Sequence, residues 1–363
     1  MQAILHDRVV MSASTSKKKP PFPEISFEDR LKAAVQLIGP HEQPNINALS
    51  EIVRNLPGIC FSVKNMGYEL ARSLAAGLPA GKTSARHVGL KSKASTQADL
   101  ESDWARHWCN ELGMRLIFHR KVWELAYAMQ AIYENGMMVP GKRGVGFGCG
   151  EEALPSYFAA KGVDILVTDL APDDARASGW ANTAQHTKGP DSAFHPHLVD
   201  RKTFDEKVRL RYVDMNDIPS DVRDYDFCWS ICALEHLGTI ENGLNFIERS
   251  LDVLKPGGLA IHTTEYNFAH DDLTIDNWGT VLFLRKHFQQ VYARLTALGH
   301  QCAPLDLSVG NKPMDRFIDV PPYAHQMSAA LAEEWNESVA HMKLLVDGFP
   351  ATCFGIIIRK VGS

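Results

Sequence analysis

The stretch KRGVGFGCGEEALPSYFAAKGVDILVTDLAP, from Lys142 to Pro172, decides the fold of this chain. Glycines alternate with other residues from Gly144 to Gly150, a helix-like run follows, and an apolar strand then ends in Asp169. A glycine-rich turn between a strand and a helix lets the backbone approach a ligand and points a helix N-terminus at it. The stretch therefore predicts a site for a nucleotide-like cofactor at the first turn of an open α/β sheet.

Downstream of this stretch, short apolar runs alternate with amphipathic ones. The next three apolar runs are VRLRYVDM, YDFCWSI and GGLAIHTTE, and two more strand candidates, PLDLSV and TCFGIIIRK, follow a last helix. Alternation of this kind is typical of a parallel sheet with crossover helices. We therefore predict a doubly wound, Rossmann-like α/β sheet of seven strands.

Upstream of Gly144 the pattern is helical. Apolar residues recur at helical spacing in FEDRLKAAVQLI, INALSEIVRNL and WARHWCNELGMRLIFHRKVWELAYAMQAIYENG, and a polar loop separates the last two segments. The first residues are polar, basic and rich in proline. We expect a mobile tail over 1–25, a helical extension over 26–140 that forms a lid or an oligomerisation surface, and an α/β domain over 141–363.

Charge and composition exclude several classes of protein. The net charge of -5 provides no basic field for a nucleic-acid backbone, so a small acceptor is expected as the substrate partner. The seven cysteines include no CxxC pair, which argues against a disulfide framework and favours a reducing, cytoplasmic setting. No apolar run approaches the roughly 18 residues of a membrane span. The sequence thus predicts neither a membrane nor a nucleic-acid partner.

Five segments in order resemble the motifs of class I S-adenosylmethionine (SAM) dependent methyltransferases. They are VGFGCG, VTDL, VDMNDIP, YDFCWSICALEHL and LDVLKPGGLAIHTTE, and the resemblance extends from about Gly144 to Lys360. It implies SAM as the cofactor. Two alternatives stay open: Gly148, Gly150 and Ala153 also fit the GxGxxA pattern of an NAD(P)-dependent oxidoreductase, and the domain could bind SAM or a protein without catalysis.

The resemblance implies which residues bind the cofactor. Asp169 would accept hydrogen bonds from the ribose diol, Asp214 would accept from the adenine amino group, and Met215 would cover a ring face. The whole expected set comprises Gly146, Gly148, Gly150, Glu151, Asp169, Leu170, Asp214, Met215 and Ser230.

Two positions depart from the family pattern. The family usually has an acidic residue where Gly146 stands and a third loop glycine where Glu152 stands. Other groups must then hold the amino-acid end of the cofactor. We expect Glu151 or Glu152 to bind its ammonium group and Arg120 to bind its carboxylate.

We expect the methyl acceptor to bind at the carboxyl ends of the fourth and fifth strands of the motif region. His236, His262 and Glu265 are the expected catalytic residues, with Tyr266, Asn267, His270 and His325 near the cleft. Glu235, His236 and His262 could instead bind a divalent cation, because ALEH partly resembles the metal site of small-RNA 2′-O-methyltransferases. The first glutamate of that site falls at Cys232 here. The expected reaction is O-methylation of a small or glycan-like polar metabolite.

Overall fold

The computed structural model describes residues 46–172, 189–323, 326–335 and 339–362, together with Ser26 and Glu28. The predicted tail over 1–25 and the residue His325 lie outside this part of the chain. The chain divides into two compact units, Met1–Phe61 and Ser62–Ser363. The predicted site lies in the second unit.

The second unit is built on one sheet, whose ten strands among the described residues are β1 (Ser92–Ala94), β2 (Arg143–Phe147), β3 (Asp164–Asp169), β4 (Val208–Tyr212), β5 (Tyr225–Ile231), β6 (Leu254–Asn267), β7 (Gln301–Cys302), β8 (Leu305–Asp306), β9 (Lys343–Val346) and β10 (Phe349–Arg359). Their order is β4-β3-β2-β5-β6-β10-β1-β8, with β7 and β9 also paired to β10. Strands β4, β3, β2, β5 and β6 are mutually parallel, and β10 is antiparallel to β6. The predicted doubly wound α/β fold is therefore confirmed, but the sheet has ten strands where seven were predicted, because the short strands β1, β7 and β9 extend it.

The helices begin where the sequence supplies side chains that accept from free backbone N–H groups. Ser102, Asp200 and Thr239 each accept at a helix N-terminus, and His119 does the same through its ring. The described helices are α1 (Ile46–Ala76), α2 (Gln97–Leu100), α3 (Asp103–Glu111), α4 (Arg120–Glu134), α5 (Leu154–Ala160), α6 (Arg201–Lys207), α7 (Ile240–Arg249), α8 (Arg285–Ala297), α9 (Pro313–Arg316) and α10 (Ala329–Trp335). None of these helices combines the length and the apolar character that crossing a bilayer requires.

Apolar side chains cover both faces of the sheet. One core layer joins the sheet to α3, α4 and α5, with Trp108, Trp123 and Phe158 buried in it. The other joins it to α7 and α8 through Phe246 and Phe288. Since successive side chains of a strand point to opposite faces, neighbouring residues of β5 and β6 enter different layers.

The predicted boundary at 140/141 does not separate two bodies. Strand β1 lies in the segment predicted as a polar loop, yet it pairs with β10 through Lys93 opposite Gly355 and Ala94 opposite Phe354. A three-residue strand shows too little periodicity to be recognised in a sequence. The N-terminal region from β1 onward is therefore part of the sheet and not a separate addition.

A buried ion pair ties the second half of α1 to the segment before β9. The Lys64 ammonium donates to Asp319, which also accepts from Tyr68 Oη at 3.2 Å and contacts His341 Nδ1 at 2.7 Å. Lys64 is fully buried, and it lies over the rings of Tyr68 and Tyr323. A buried ammonium is tolerated only when such partners replace its water.

In the LKPGG segment the chain turns inside a strand and not between two elements. β6 already begins at Leu254, and the turn lies within it, with Gly257 at a φ of 79°. A register shift against β5 accommodates the turn. All seven cysteines are free thiols.

Candidate functional site

A cavity of about 380 Å³ opens where β2, β3 and β5 end and α4 passes over them. Ligand sites in open α/β sheets lie at this edge, beyond the carboxyl ends of the strands. The cavity is lined by Lys121, Leu125, Gly148, Cys149, Glu151, Glu152, Asp169, Leu170, Val213, Asp214, Met215, Asn216, Ile231, Cys232, Ala233, His236 and Leu237.

Six of the nine predicted cofactor residues line this cavity: Gly148, Glu151, Asp169, Leu170, Asp214 and Met215. Gly148 has a φ of 63°, and a Cβ atom there would lie 2.7 Å from Ala233 Cβ. Only glycine meets both demands, because other residues rarely adopt this conformation. The loop therefore approaches β5 closely enough to form one wall of the cavity.

Backbone N–H groups hold the two strand-end carboxylates in place. Asp169 accepts from the N–H groups of Leu170 at 2.8 Å and Gly150 at 3.3 Å. Asp214 accepts from the Asn216 N–H at 2.8 Å. Hydrogen bonds to a charged acceptor are about twice as strong as neutral ones, so these contacts fix the carboxylates at the cavity wall.

Three predicted cofactor residues do not line the cavity. Gly146 lies inside β2, opposite Trp229 of β5. Gly150 contributes its N–H to Asp169 and not to the lining. Ser230 is buried, and its hydroxyl contacts His262 Nδ1 at 2.8 Å on the far side of the sheet from Trp229. For Ser230 the prediction is wrong, because its side chain points away from the cavity.

His262 is the main correction to the predicted catalytic set. Its Nε2 contacts Ser250 Oγ at 2.9 Å, and the Ser250 hydroxyl itself donates to the Ile247 carbonyl. Nε2 must therefore carry the proton, and Nδ1 accepts from Ser230. Burial lowers the pKa of His262 to about 3. With both nitrogens engaged and no solvent exposure, His262 is a structural histidine of the core.

Glu265 is also placed differently from the prediction. It forms an ion pair with Arg120 beneath α4, and neither residue lines the cavity. Glu265 is 3% exposed. The predicted role of Arg120 toward the cofactor carboxylate is wrong for the same reason, because its guanidinium contacts Glu265 and the thiols of Cys232 and Cys353.

The predicted metal set of Glu235, His236 and His262 is not assembled. His236 Nε2 lies 4.0 Å from Glu235 Oε1, but both His262 nitrogens are bound to serine hydroxyls. Among the described residues, metal-type ligands approach within 4.8 Å of one another in two groups, Glu124–Cys232–Cys353 and Cys232–Glu235–Glu265. Neither group contains a histidine, and the Arg120 guanidinium contacts both thiols. The donor set expected for a cation is therefore absent from this part of the chain.

His236 alone of the predicted catalytic residues lines the cavity. It follows β5 in a single 3₁₀ turn, and its Nδ1 lies 3.0 Å from the Gly279 carbonyl oxygen. Because a carbonyl can only accept, Nδ1 carries the proton and Nε2 is the basic nitrogen of the neutral ring. Burial lowers the pKa of His236, with Glu235 opposing the shift. The ring is thus neutral at pH 7.

The remaining predicted acceptor-side residues lie away from the cavity. Tyr266 is 2% exposed and packs on Phe288 and Phe354, and Asn267 donates to the Leu273 carbonyl. His270 packs on Phe349. β6 runs on to Asn267 at the end of its pairing with β10, so these residues belong to the sheet or the loop directly after it.

Nine of the cavity residues were given no ligand role by sequence reasoning, among them Lys121, Leu125 and Cys232. Lys121 and Leu125 come from α4, and Cys232 follows β5 with a φ of 47°. The helical periodicity of α4 was visible, but it does not reveal which of its residues reach over the strand ends. The positive φ of Cys232 has no sequence signal, since this conformation is uncommon for residues other than glycine.

Comparison with known proteins agrees with this geometry. A family model described as a methyltransferase domain matches residues 127–309, which is half of the chain. No match was found among curated protein sequences.

Several solved structures are similar to this chain at low identity. The [4+2]-cyclase SpnF is 17% identical, with 75% of this chain and 100% of that chain covered and a TM-score of 0.42. A SAM-dependent methyltransferase from Clostridium acetobutylicum is 10% identical, with 67% and 92% covered and a TM-score of 0.37. One from Mesorhizobium loti is 15% identical, with 61% and 93% covered and a TM-score of 0.33.

The family match decides between the interpretations that the glycine loop left open. A methyltransferase domain excludes the nicotinamide-dependent oxidoreductase, and the match spans the glycine loop, both strand-end carboxylates and His236. The chain belongs to the class I SAM-dependent methyltransferase family.

Proposed function

We propose that this chain methylates an oxygen atom of a small, polar acceptor, with His236 as the general base. When bound, SAM supplies an activated methyl group. The protein must then align an acceptor atom and, for a hydroxyl, remove its proton. A base at the cavity wall is therefore the feature that distinguishes an oxygen acceptor from one that needs no proton removal.

The geometry of His236 carries this proposal. The Gly279 carbonyl fixes the proton on Nδ1, which leaves the Nε2 lone pair as the proton acceptor. Burial lowers the pKa of His236, so the ring is in its basic, neutral form at physiological pH. The Glu235 carboxylate lies 4.0 Å from Nε2, and its charge stabilises the imidazolium that forms when the ring takes a proton.

The same cavity has residues suited to hold the cofactor. We propose that Asp169 accepts from the ribose diol and that Asp214 and Met215 bind the adenine. In support, all three residues line the cavity, and the two carboxylates already accept hydrogen bonds from backbone N–H groups. An aspartate at the end of a strand suits a diol because its two oxygens can accept two hydrogen bonds at once.

The size of the cavity and the net charge of the chain favour a small acceptor. About 380 Å³ is within the range of small-molecule sites, and α4 covers it with Lys121 and Leu125. The chain has a net charge of -5, which disfavours the backbone of a nucleic acid. A sugar-like or other hydroxylated metabolite fits these limits.

Replacement of His236 tests the proposal. We expect His236→Gln to lower turnover by roughly 100- to 10,000-fold, the usual contribution of a positioned base. Glutamine has no basic nitrogen, so the variant loses the base while it keeps a polar side chain of similar length. Turnover is measured by methyl gain in a mass-shift screen of hydroxylated acceptors, and the affinity for S-adenosylhomocysteine by calorimetry.

Two results would contradict the proposal. A fully active His236→Gln variant would exclude His236 as the base. Methyl gain only on amines or thiols in the acceptor screen would exclude an oxygen acceptor. His262→Gln is the comparison variant: we expect it to lower stability, because it breaks the hydrogen bonds to two serines, and to leave turnover per folded molecule near that of the unaltered chain.

A further inference from the structure

The glycine loop has no acidic residue on β2, and the reason is steric. A Cβ atom at Gly146 would lie 2.4 Å from Trp229 Cζ2 and 2.3 Å from Cys149 Sγ. Real Cβ atoms do not approach this closely, so position 146 cannot carry any side chain while Trp229 keeps its place. The indole ring fills the volume that a side chain on β2 would need.

Trp229 is itself held rigidly. It is fully buried, stacks on Phe227 with ring centroids 5.8 Å apart, and meets Phe158 edge-on at 5.5 Å. Its Nε1 donates to Glu152 Oε2 at 3.0 Å. The ring that excludes a side chain from position 146 therefore positions a carboxyl group six residues further along the chain.

Glu152 lines the cavity in surroundings that suit a cation. Its neighbours are the Asp169 carboxylate from β3, together with Glu124 and Lys121 from α4. Burial raises the pKa of Glu152 to about 8, with the Trp229 hydrogen bond and Lys121 opposing the shift and the two acids adding to it. A cationic ligand group placed against this carboxyl would compensate for the water that it has lost.

SAM and its product share one group of the right charge outside the reacting centre, the ammonium of the methionyl end. We propose that Glu152, positioned by Trp229, binds this ammonium group. The inference rests on the cofactor assignment and is independent of the acceptor and of His236. Since the free carboxyl holds a proton at pH 7, the proposal requires that ammonium binding release it.

Calorimetry on the full chain tests the proposal with two probes. S-adenosylhomocysteine carries the ammonium without the sulfonium charge, and 5′-methylthioadenosine carries neither the ammonium nor the carboxylate. Titrations at pH 7 in phosphate and imidazole buffers, which differ in ionisation enthalpy, report the protons exchanged on binding. The ligand amine is mostly protonated at this pH, because α-amino groups titrate near ~8.

The unaltered chain should release most of a proton per S-adenosylhomocysteine bound, because a carboxyl with a pKa of about 8 is mostly protonated at pH 7. We expect 5′-methylthioadenosine to release none. Glu152→Gln should bind S-adenosylhomocysteine about 10- to 100-fold more weakly, in line with the loss of a hydrogen bond to a charged group. Its proton release should vanish, and its affinity for 5′-methylthioadenosine should not change.

Glu151→Gln tests the alternative ammonium ligand, because Glu151 lines the same cavity but is exposed. It should retain the proton release. The proposal is overturned if Glu152→Gln binds S-adenosylhomocysteine as tightly as the unaltered chain, or if its proton release persists. Weakening of both probes in Glu152→Gln would also overturn it, since Glu152 would then shape the whole cavity. If the unaltered chain binds neither probe, the cofactor assignment fails as well.

Discussion

Glu152→Gln should make the ligand-free protein more stable at alkaline pH. The folded chain holds the Glu152 pKa at about 8, above its ordinary value of 4.5. Between these two values the folded state binds a proton that the unfolded state releases. The stabilisation that comes from the raised pKa of Glu152 is fully present below about pH 4.5 and is lost as the pH rises through 8. Glutamine resembles the protonated acid and does not titrate, so the variant escapes this loss.

The magnitude follows from the width of the window. The pKa rises from 4.5 to about 8, which at about 1.4 kcal/mol per pH unit corresponds to roughly 5 kcal/mol as an upper bound. The Glu152 residue keeps some solvent exposure, and a charge at a cavity wall is partly screened by water. We therefore expect the variant to gain about 2 to 4 kcal/mol over the unaltered chain at pH 8.5, and little at pH 5.

Urea denaturation of both proteins at pH 5.0 and 8.5, without ligand, measures this difference. All other titrating groups are common to the two chains, so their contributions cancel in the comparison. Glu151→Gln, at an exposed position of the same loop, controls for the removal of a carboxyl from this loop. A Glu152→Gln variant that is no more stable at pH 8.5 than at pH 5.0, relative to the unaltered chain, would refute the assigned burial of this carboxyl.

Two further substitutions test the cofactor role of Asp169 and the buried ion pair between Lys64 and Asp319. Asp169→Ala should weaken S-adenosylhomocysteine binding by about 1.5 to 3 kcal/mol in calorimetry, the usual loss for a hydrogen bond to a charged group, and an unchanged affinity would remove Asp169 from the site. Asp319→Asn should lower the free energy of unfolding by about 3 to 5 kcal/mol in urea titrations, because the buried Lys64 ammonium loses its counter-ion. A loss below about 1 kcal/mol would mean that the Lys64–Asp319 pair does not stabilise the fold as a buried ion pair.

The sequence predicts the parallel strands and one wall of the cavity well. The alternation of apolar and amphipathic runs locates β2 to β6, and the carboxyl ends of β3 and β4 give Asp169 and Asp214. These features are local, because each depends on a strand and the turn directly after it. Because the strands are parallel, their carboxyl ends, and the two aspartates with them, lie at one edge of the sheet.

The site predictions are wrong where they depend on the residue at which a strand ends or on the face of the sheet to which a side chain points. His262 was expected at the end of β6, but the strand continues for five residues to Asn267. It is therefore paired opposite Ser230 in the middle of the sheet, on the face covered by α7. A one-residue change in facing moves a side chain from one layer to the other, and the sequence of a strand buried on both faces does not reveal which layer it enters.

The two departures from the family pattern are linked by a single residue on another strand. Gly146 lacks an acidic side chain and Glu152 replaces a glycine, and from the sequence these look like two independent losses. In the structure Trp229 connects them, because its ring occupies the space beside Gly146 and its Nε1 holds the Glu152 carboxyl. A large indole on β5 requires glycine on β2, and the carboxyl lies on the loop instead. Glycine at position 146 is therefore the steric counterpart of Trp229, and it does not by itself mark a degraded cofactor site.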